Sequence, residues 1–133
     1  VEISDSYRTV PNTTYYYRVF AFSSAYGYSN VSNVAQATLL APAIPAPPSD
    51  LVAKLLTFTD VRLVWKDNAN NETLYTLERK TGTSAFSQIS TLAANSIAYT
   101  VTGSGGGTYT FRVRASNPAG DSGYSNEASA TLP

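Results

Sequence analysis

The sequence contains no cysteine, no histidine and no methionine. Without cysteine and histidine it can form neither a Ser-His-Asp triad nor a cysteine nucleophile, and it lacks the ligands of an ordinary zinc site. The absence of cysteine also excludes a disulfide scaffold. Because the first residue is not methionine and no signal peptide follows it, we expect the sequence to begin inside a longer precursor.

Charge of either sign is scarce as well. The 9 basic and 9 acidic residues give a formal net charge of zero, whereas a protein that binds nucleic acid needs a basic face. No apolar run approaches the roughly 20 residues that span a bilayer, and no pair of catalytic groups is visible. We therefore predict a chain that is not an enzyme, holds no metal or cofactor, binds no nucleic acid and does not insert into a membrane.

What the sequence does contain is an internal repeat. Residues 14–21 read TYYYRVFA and residues 108–115 read TYTFRVRA, so five of the eight positions are identical at an offset of 94. Further on, Ser32-Asn33 matches Ser125-Asn126 at an offset of 93. Such a repeat indicates a repeated structural unit, and the first copy holds only the C-terminal part of the unit that the second copy shows whole.

The segment 41–48, APAIPAPP, separates the two copies. Its four prolines exclude a helix or a central strand and favour a stiff, extended spacer. We therefore predict the C-terminal part of a unit at 1–40, a Pro-rich linker at 41–48 and a complete unit at 49–133.

Alternation of apolar and polar residues is the dominant pattern, as at Val61, Leu63 and Trp65, and no segment shows a sustained helical period. Turn residues separate the alternating runs at the spacing of an all-β sandwich. The complete unit is predicted to hold seven strands, at about 50–56, 60–66, 73–80, 85–92, 96–102, 108–117 and 124–132. The first copy is predicted to add three, at about 2–9, 13–23 and 31–39.

The complete unit resembles a fibronectin type III module, and is most similar to the variants found between domains of bacterial secreted proteins. The resemblance is carried by the order and spacing of PPSDL at 47–51, LVWKDNANNET at 63–73, YTLER at 75–79, TYTFRVRA at 108–115 and YSN at 124–126. It covers 49–133, and its C-terminal part covers most of 1–40. It implies an all-β, seven-stranded immunoglobulin-like sandwich, preceded by a partial module of about three strands.

The resemblance also implies structural roles. Trp65 would be the core tryptophan between the sheets, and Tyr109, with Tyr15 in the first copy, would be the tyrosine-corner residue whose hydroxyl bonds to nearby backbone. The family usually places a leucine just before this corner; Val10 has that position in the first copy and Ser104 in the complete unit. The expected structural core residues are Trp65, Tyr75, Leu77, Tyr109 and Val113, with Tyr15 and Val19 in the first copy.

Two loops contain residues that could bind a ligand. The run DNANNE at 67–72 offers the oxygen ligands that calcium prefers, but it lacks the spacing and the glycine of an EF-hand loop. Asx turns that join two strands are the favoured interpretation. The Gly-rich segment 103–107 has neither the lysine nor the following helix of a phosphate-binding loop, and we interpret it as a strand connector.

The outward positions of the repeated strand differ between the two copies. In the complete unit they are Thr110, Arg112, Arg114 and Ser116, and in the first copy Tyr16, Arg18, Phe20 and Phe22. Three interpretations stay open: a contact face for a neighbouring domain or subunit, a platform on which sugars stack, or ordinary exposed strand aromatics. The candidate partner-contact residues are Tyr16, Phe20, Phe22, Tyr26 and Tyr28.

These observations favour a non-catalytic spacer or interaction module of a larger extracellular bacterial protein. A second hypothesis is a subunit of an extracellular fibre or surface assembly, in which a neighbouring chain completes or covers the partial module. A third is an accessory carbohydrate-binding module of a polysaccharide-degrading enzyme. The expected partners are other domains of the same protein or neighbouring subunits, and polysaccharide in the third hypothesis. The expected location is outside the cell or on its surface.

Overall fold

The computed structural model describes residue 4, residues 9–102 and residues 104–133. The described residues form twelve strands and no helix, which confirms the all-β prediction. The strands are β1 (Thr13–Tyr17), β2 (Phe22–Ser23), β3 (Gly27–Tyr28), β4 (Ala35–Leu39), β5 (Ser49–Leu55), β6 (Val61–Lys66), β7 (Leu74–Thr81), β8 (Ser87–Ala93), β9 (Ala98–Val101), β10 (Gly107–Asn117), β11 (Gly120–Tyr124) and β12 (Ala128–Leu132).

The chain divides into two compact units between Pro42 and Ala43. We refer to residues 1–42 as the first unit and to residues 43–133 as the second unit. In the described part of the chain, no helix is long and apolar enough to cross a membrane.

The second unit is a sandwich of two antiparallel sheets. One sheet has the order β5-β6-β9, and the other has the order β11-β10-β7-β8 with β12 also paired to β10. Alternate side chains of a strand point to opposite faces of its sheet, so each sheet offers one face to the other. The order of the strands brings chain-distant elements together, since β10 pairs with β7 over eight residue pairs.

The core of the second unit lies between the two sheets. Val61, Leu63 and Trp65 alternate with exposed residues along β6, as the sequence pattern predicts. They meet Tyr75 and Phe111 of the larger sheet, and the Trp65 and Tyr75 rings lie 5.9 Å apart. The remaining buried apolar residues are Leu51, Leu77, Val101, Tyr109, Val113, Ala115, Ala130 and Leu132.

The last predicted strand, 124–132, is two strands in the structure. β11 begins at Gly120, four residues before the predicted start, and residues 125–127 separate it from β12. The interruption has a local cause, because the amide of Val113 donates to the Ser125 hydroxyl at 3.1 Å rather than to a backbone carbonyl. A second hydroxyl, that of Ser122, accepts from the amide of Ala115 at 2.9 Å.

The first unit repeats this hairpin. Its Val19 amide donates to the Ser32 hydroxyl at 3.0 Å, and its Ala21 amide donates to the Ser29 hydroxyl at 2.9 Å. The predicted strand 13–23 is divided into β1 and β2, whereas β10, which has the same two serine bonds, is continuous and is also paired with β7. The predicted strand 31–39 is shortened to β4, and the predicted strand 2–9 falls almost wholly outside the described residues.

Pairing in the first unit is limited to two short antiparallel ladders. β1 pairs with β4, and β2 pairs with β3. Tyr15 lies opposite Ala37, which matches the Tyr109–Ala130 pair of the second unit. The described residues of this unit form no second sheet that could cover these strands.

Val19 shows the consequence of that difference. It was expected to be a core residue, but it is 59 % exposed, whereas its counterpart Val113 is 0 % exposed. Val113 is buried because the β5-β6-β9 sheet lies over it, and Val19 has no such cover among the described residues. The core assignment of Val19 is therefore corrected to an exposed position.

Candidate interaction surfaces

The outward face of the second unit is a network of paired charges. Arg112 contacts the Glu78 carboxylate at 2.6 Å, and its guanidinium lies 3.7 Å from the centre of the Tyr124 ring. The Tyr124 hydroxyl donates to Glu78 at 2.9 Å. Burial, and then this hydrogen bond, raise the pKa of Tyr124 above its ordinary value.

A second ion pair continues this network. Asp121 accepts from Arg114 at 3.0 Å and also from the hydroxyl of Ser116. Asp121 therefore lies between two outward residues of β10 and bonds to both. The outward face of β10 and β11 is thus polar, and Arg112 and Arg114 each form an ion pair within the unit.

The first unit has aromatic rings in the same places. Tyr28 corresponds to Asp121 at the offset of 93, and it lies between Phe20 and Phe22. The ring centres are 5.1 Å apart for Phe20–Tyr28, in an edge-to-face arrangement, and 4.8 Å apart for Phe22–Tyr28. Both separations are typical of favourable aromatic pairs. An aromatic cluster thus replaces a polar one.

Tyr16 and Tyr26 complete the five predicted contact residues, which we call the aromatic face. All five side chains are at least half exposed: Tyr16 by 69 %, Phe20 by 55 %, Phe22 by 64 %, Tyr26 by 92 % and Tyr28 by 70 %. Phe22, Tyr26 and Tyr28 line a shallow cleft of about 250 Å³. Tyr28 belongs to β3, and Tyr26 lies in the turn before it.

Two of the predicted core tyrosines make the hydrogen bonds of a tyrosine corner. The Tyr109 hydroxyl donates to the Gly105 carbonyl at 2.9 Å. In the first unit the Tyr15 hydroxyl accepts from the amide of Val10. Tyr109 is buried, whereas Tyr15 is half-buried. Ser104, which has the position usually held by leucine, is buried, and its hydroxyl has no hydrogen-bond partner among the described residues.

The acidic loop at 67–72 is tied to the protein itself. Asp67 accepts from the amide of Ala69 at 2.9 Å, which is an Asx turn, and from the hydroxyl of Tyr75. Burial, and then this hydrogen bond, raise the pKa of Tyr75. Glu72 accepts from the backbone amide of Asn95 at 2.9 Å. The described residues include no group of three or more acidic, His or Cys side chains arranged to hold a metal.

Asparagine side chains bind the Pro-rich segment to the second unit. The Ala43 carbonyl accepts from the side-chain amides of Asn71 and Asn117, each at 2.9 Å. The Asn68 amide donates to the Pro47 carbonyl at 3.0 Å. Pro45 and Pro48 are buried. Residues 43–48 are thus packed on the second unit, and we call the two bonds to Ala43 the asparagine clamp.

Sequence reasoning missed the asparagine clamp and one apolar surface. The surface is an open cleft of about 570 Å³ lined by Leu55, Leu56, Thr57, Phe58 and Pro133. Adjacent exposed apolar residues at 55–58 were the available signal for it. For the clamp the only signal was an excess of asparagine in two turns, which Asx-turn chemistry also explains.

The fold can be compared with known proteins. No protein-family model matches the sequence, and no curated protein matches it. Among solved structures, titin domains A168–A170 are 23 % identical, with a TM-score of 0.61, over 77 % of this chain and 36 % of theirs. The FN1–FN3 domains of chicken CNTN1 are 20 % identical, with a TM-score of 0.62, over 94 % of this chain and 44 % of theirs. The chain thus spans less than half the length of either structure.

A single-domain structure matches as well. The sixth fibronectin type III domain of human fibronectin type III domain containing protein 3 is 20 % identical, with a TM-score of 0.58, over 70 % of this chain and 90 % of that domain. Likeness at this level of identity defines the fold. The chain is therefore all-β, and its second unit has an immunoglobulin-like sandwich fold. More specifically, the fold is that of fibronectin type III domains, which confirms this part of the resemblance seen in the sequence, whereas the likeness to variants of bacterial secreted proteins stays a prediction.

Proposed function

We propose that the chain is a non-catalytic spacer and interaction segment of a larger extracellular bacterial protein. The asparagine clamp carries the spacer part of this proposal, because it attaches Ala43, the first residue of the second unit, to Asn71 and Asn117 of the sandwich. The bacterial and extracellular setting rests on the sequence resemblance of 49–133. The names of two matched structures, titin A168–A170 and CNTN1 FN1–FN3, each describe several consecutive domains.

The clamp can be tested by removing it. Since the chain has no cysteine, Ala43→Cys with Lys54→Cys gives two unique spin labels within the second unit, one on the clamped residue and one on β5. We expect a narrow distance distribution that becomes broader when Asn71→Ala and Asn117→Ala are added. Asn70→Ala, at an exposed neighbouring asparagine, is the matched control and should leave the distribution unchanged. A distribution that is broad in the parent chain, or that does not respond to loss of the clamp, would contradict the spacer role.

The aromatic face supports the interaction part of the proposal. Its side chains are exposed, and residues 9–42 contain one charged residue, Arg18. Exposed aromatic clusters of this kind are enriched where proteins meet partners. The fibre and carbohydrate hypotheses use the same face, with a second copy or a polysaccharide as the partner.

Tyr16→Ser combined with Phe20→Arg would test this part. Sedimentation velocity over a range of concentrations probes a second copy, and retention on insoluble cellulose or chitin probes polysaccharide. We expect one of these signals in the parent chain and its loss in the variant. Phe58→Ser is the matched control, because Phe58 is an exposed aromatic residue of the other unit. A signal that the variant keeps would remove the interaction role from this face.

A further inference from the structure

The turn that joins β5 to β6 exposes large apolar side chains at one end of the second unit. We call residues 55–60 the β5–β6 tip. Leu55, Leu56 and Phe58 are 51 %, 60 % and 82 % exposed, and all three line the open cleft of about 570 Å³. Single exposed apolar residues are ordinary, whereas a contiguous group of them marks a surface that meets another apolar phase or partner.

The backbone of the β5–β6 tip is hydrogen-bonded within the second unit. The amides of Leu56 and Thr57 donate to the Asp60 carbonyl at 2.9 and 3.3 Å. The amides of Thr59 and Asp60 donate to the Thr57 hydroxyl at 3.2 and 3.0 Å, and the Thr59 carbonyl accepts from the Ser104 amide at 2.9 Å. Unpaired backbone groups oppose transfer into hydrocarbon, which offers them no partner. The tip can leave water with these groups already paired.

Two exposed cations lie directly behind the β5–β6 tip. Lys54 and Arg62 are opposite each other in the ladder, next to the Leu55–Val61 pair that begins the tip. Arg62 donates to the Thr100 hydroxyl at 3.1 Å. The ion pairs found among the described residues all use other cations, which lie on the larger sheet. The positive charge of Lys54 and Arg62 is therefore available to an anion.

Acidic charge near the β5–β6 tip is limited to one residue. Residues 51–66 contain three basic residues and a single acid, Asp60. The Asp60 carboxylate accepts from the Thr59 hydroxyl at 3.2 Å, and the residue is only partly exposed. The third basic residue, Lys66, lies opposite Ser49 at the far end of β6. The β5–β6 hairpin thus has a net positive charge, and the cations nearest its tip are Lys54 and Arg62.

We propose that the β5–β6 tip docks on the surface of a membrane that contains anionic lipids. Leu55, Leu56 and Phe58 enter the boundary between headgroups and acyl chains, while the two cations stay at the level of the lipid phosphates. The charge of the hairpin favours an anionic bilayer, and the paired backbone of the tip suits an apolar medium. The absence of an apolar run of about 20 residues excludes a spanning segment, whereas shallow docking needs only a few apolar side chains. This activity goes beyond the spacer and interaction role and uses neither the asparagine clamp nor the aromatic face.

Sedimentation of the full chain with lipid vesicles tests the proposal. The vesicles consist of phosphatidylcholine, with or without phosphatidylglycerol as the anionic lipid. We expect binding that requires phosphatidylglycerol and that falls in 1 M NaCl, where the Debye length is about 3 Å. Phe58→Ser should weaken binding by about 10-fold or more, because the transfer of the ring from water is lost. Lys54→Gln should weaken it by about 5-fold, the effect of one cation near an anionic surface.

Two matched controls make the test specific to the β5–β6 tip. Phe22→Ser removes an equally simple exposed ring from the first unit, and Lys66→Gln removes a cation from the far end of β6. Lys66 is four residues from Arg62, about 13 Å along the strand, which exceeds the Debye length of about 8 Å at physiological salt. Both controls should bind like the parent chain, and thermal unfolding of every variant shows that the second unit is folded.

The fluorescence of Phe58→Trp measures how deeply the tip docks. Its emission should shift to shorter wavelength on binding and should be quenched by lipids that are brominated on their acyl chains. Trp65 is 3 % exposed, so its emission provides a constant background in the parent chain.

Several outcomes would overturn the proposal. Equal binding to phosphatidylcholine alone would remove the role of Lys54 and Arg62. Binding that Phe22→Ser abolishes and Phe58→Ser keeps would place the membrane contact on the aromatic face. The absence of binding to either kind of vesicle would exclude the membrane, and self-association that is lost in Phe58→Ser would then assign the tip to a second copy of the chain.

Discussion

The two hairpins of this chain are built alike but are covered differently. In both, the hydroxyls of two serines accept from backbone amides at equivalent positions. In both, a hydrogen bond between two threonine hydroxyls also joins paired strands, β1 to β4 at 2.8 Å and β10 to β12 at 2.9 Å. The inward residues are buried in one unit and exposed in the other. The comparison teaches that the shape of the hairpin is set locally, whereas burial depends on strands that are distant in the sequence.

The largest expected difference concerns a charge on the inward face. Val113→Asp places an unpaired carboxylate in a fully buried position and should cost about 4 kcal/mol or more. Val19→Asp should cost less than about 0.5 kcal/mol, because the side chain reaches water. Urea unfolding of both variants measures the difference. Equal costs would mean that Val19 is covered as well as Val113.

The hydrogen bonds from backbone amides to serine hydroxyls provide the next contrast between the two hairpins. Ser122→Ala leaves the Ala115 amide buried without an acceptor and should cost about 1–3 kcal/mol. Ser29→Ala removes the equivalent bond to the Ala21 amide, which is exposed and can bond to water instead, at a cost of about 0.5 kcal/mol or less. Amide hydrogen exchange at residues 21 and 115 would report both. A large effect of Ser29→Ala would show that the first hairpin is protected from water.

High pH tests the phenol of Tyr75, which lies on β7. The described residues of the first unit contain no strand equivalent to β7. The pKa of Tyr75 is raised from its ordinary value of 10.0, so the folded state keeps its proton after the unfolded chain has lost it. Stability from this group is complete below pH 10 and should fall above it by about 1.4 kcal/mol per pH unit. Tyr75→Phe should flatten this slope in thermal unfolding, leaving the smaller contribution of Tyr124. An unchanged slope in Tyr75→Phe would contradict the burial of the phenol.

The smallest effects are expected on the outward faces. Arg114→Ala removes a partly exposed ion pair with Asp121 and should lower the stability of the second unit by about 0.2–1 kcal/mol. The effect should shrink in 1 M NaCl, where the Debye length is about 3 Å. Phe20→Ala removes the uncharged ring contact with Tyr28, so the chemical-shift change at Tyr28 should not depend on salt. If the stability loss in Arg114→Ala and the chemical-shift change at Tyr28 in Phe20→Ala depended equally on salt, the proposed difference between a charged contact and an aromatic contact would be wrong.

Much of the fold could be predicted from the sequence, because its signals are local. The alternation at Val61, Leu63 and Trp65 identifies β6 and its buried face. The repeat of TYYYRVFA and TYTFRVRA aligns β1 with the first half of β10. The breaks at Ser32 and Ser125 were not foreseen, since a hydroxyl that replaces a carbonyl in a ladder leaves the apolar pattern unchanged.

The surfaces were predictable only in part. The residues of the aromatic face follow from comparing outward positions in the two copies. The contact of Tyr28 with Phe20 and Phe22 depends on the change of offset from 94 to 93, which sets the cross-strand register. The asparagine clamp joins residues 28 and 74 positions from Ala43, and directional bonds over such separations leave no periodic signal.

The asparagine clamp has a mechanical consequence. Asn71 lies in the loop between β6 and β7, and Asn117 is the last residue of β10, so the two side-chain amides attach Ala43 to parts of the sandwich other than β5. A pulling force applied at Pro42 would act on these two hydrogen bonds to Ala43 before it acts on β5. β5 lies at the edge of its sheet and pairs there with β6. The clamp would protect β5 from separation from β6 until its two hydrogen bonds break. The hydrogen bonds of Asn71 and Asn117 would thus be the first contacts of the second unit to break under such a force.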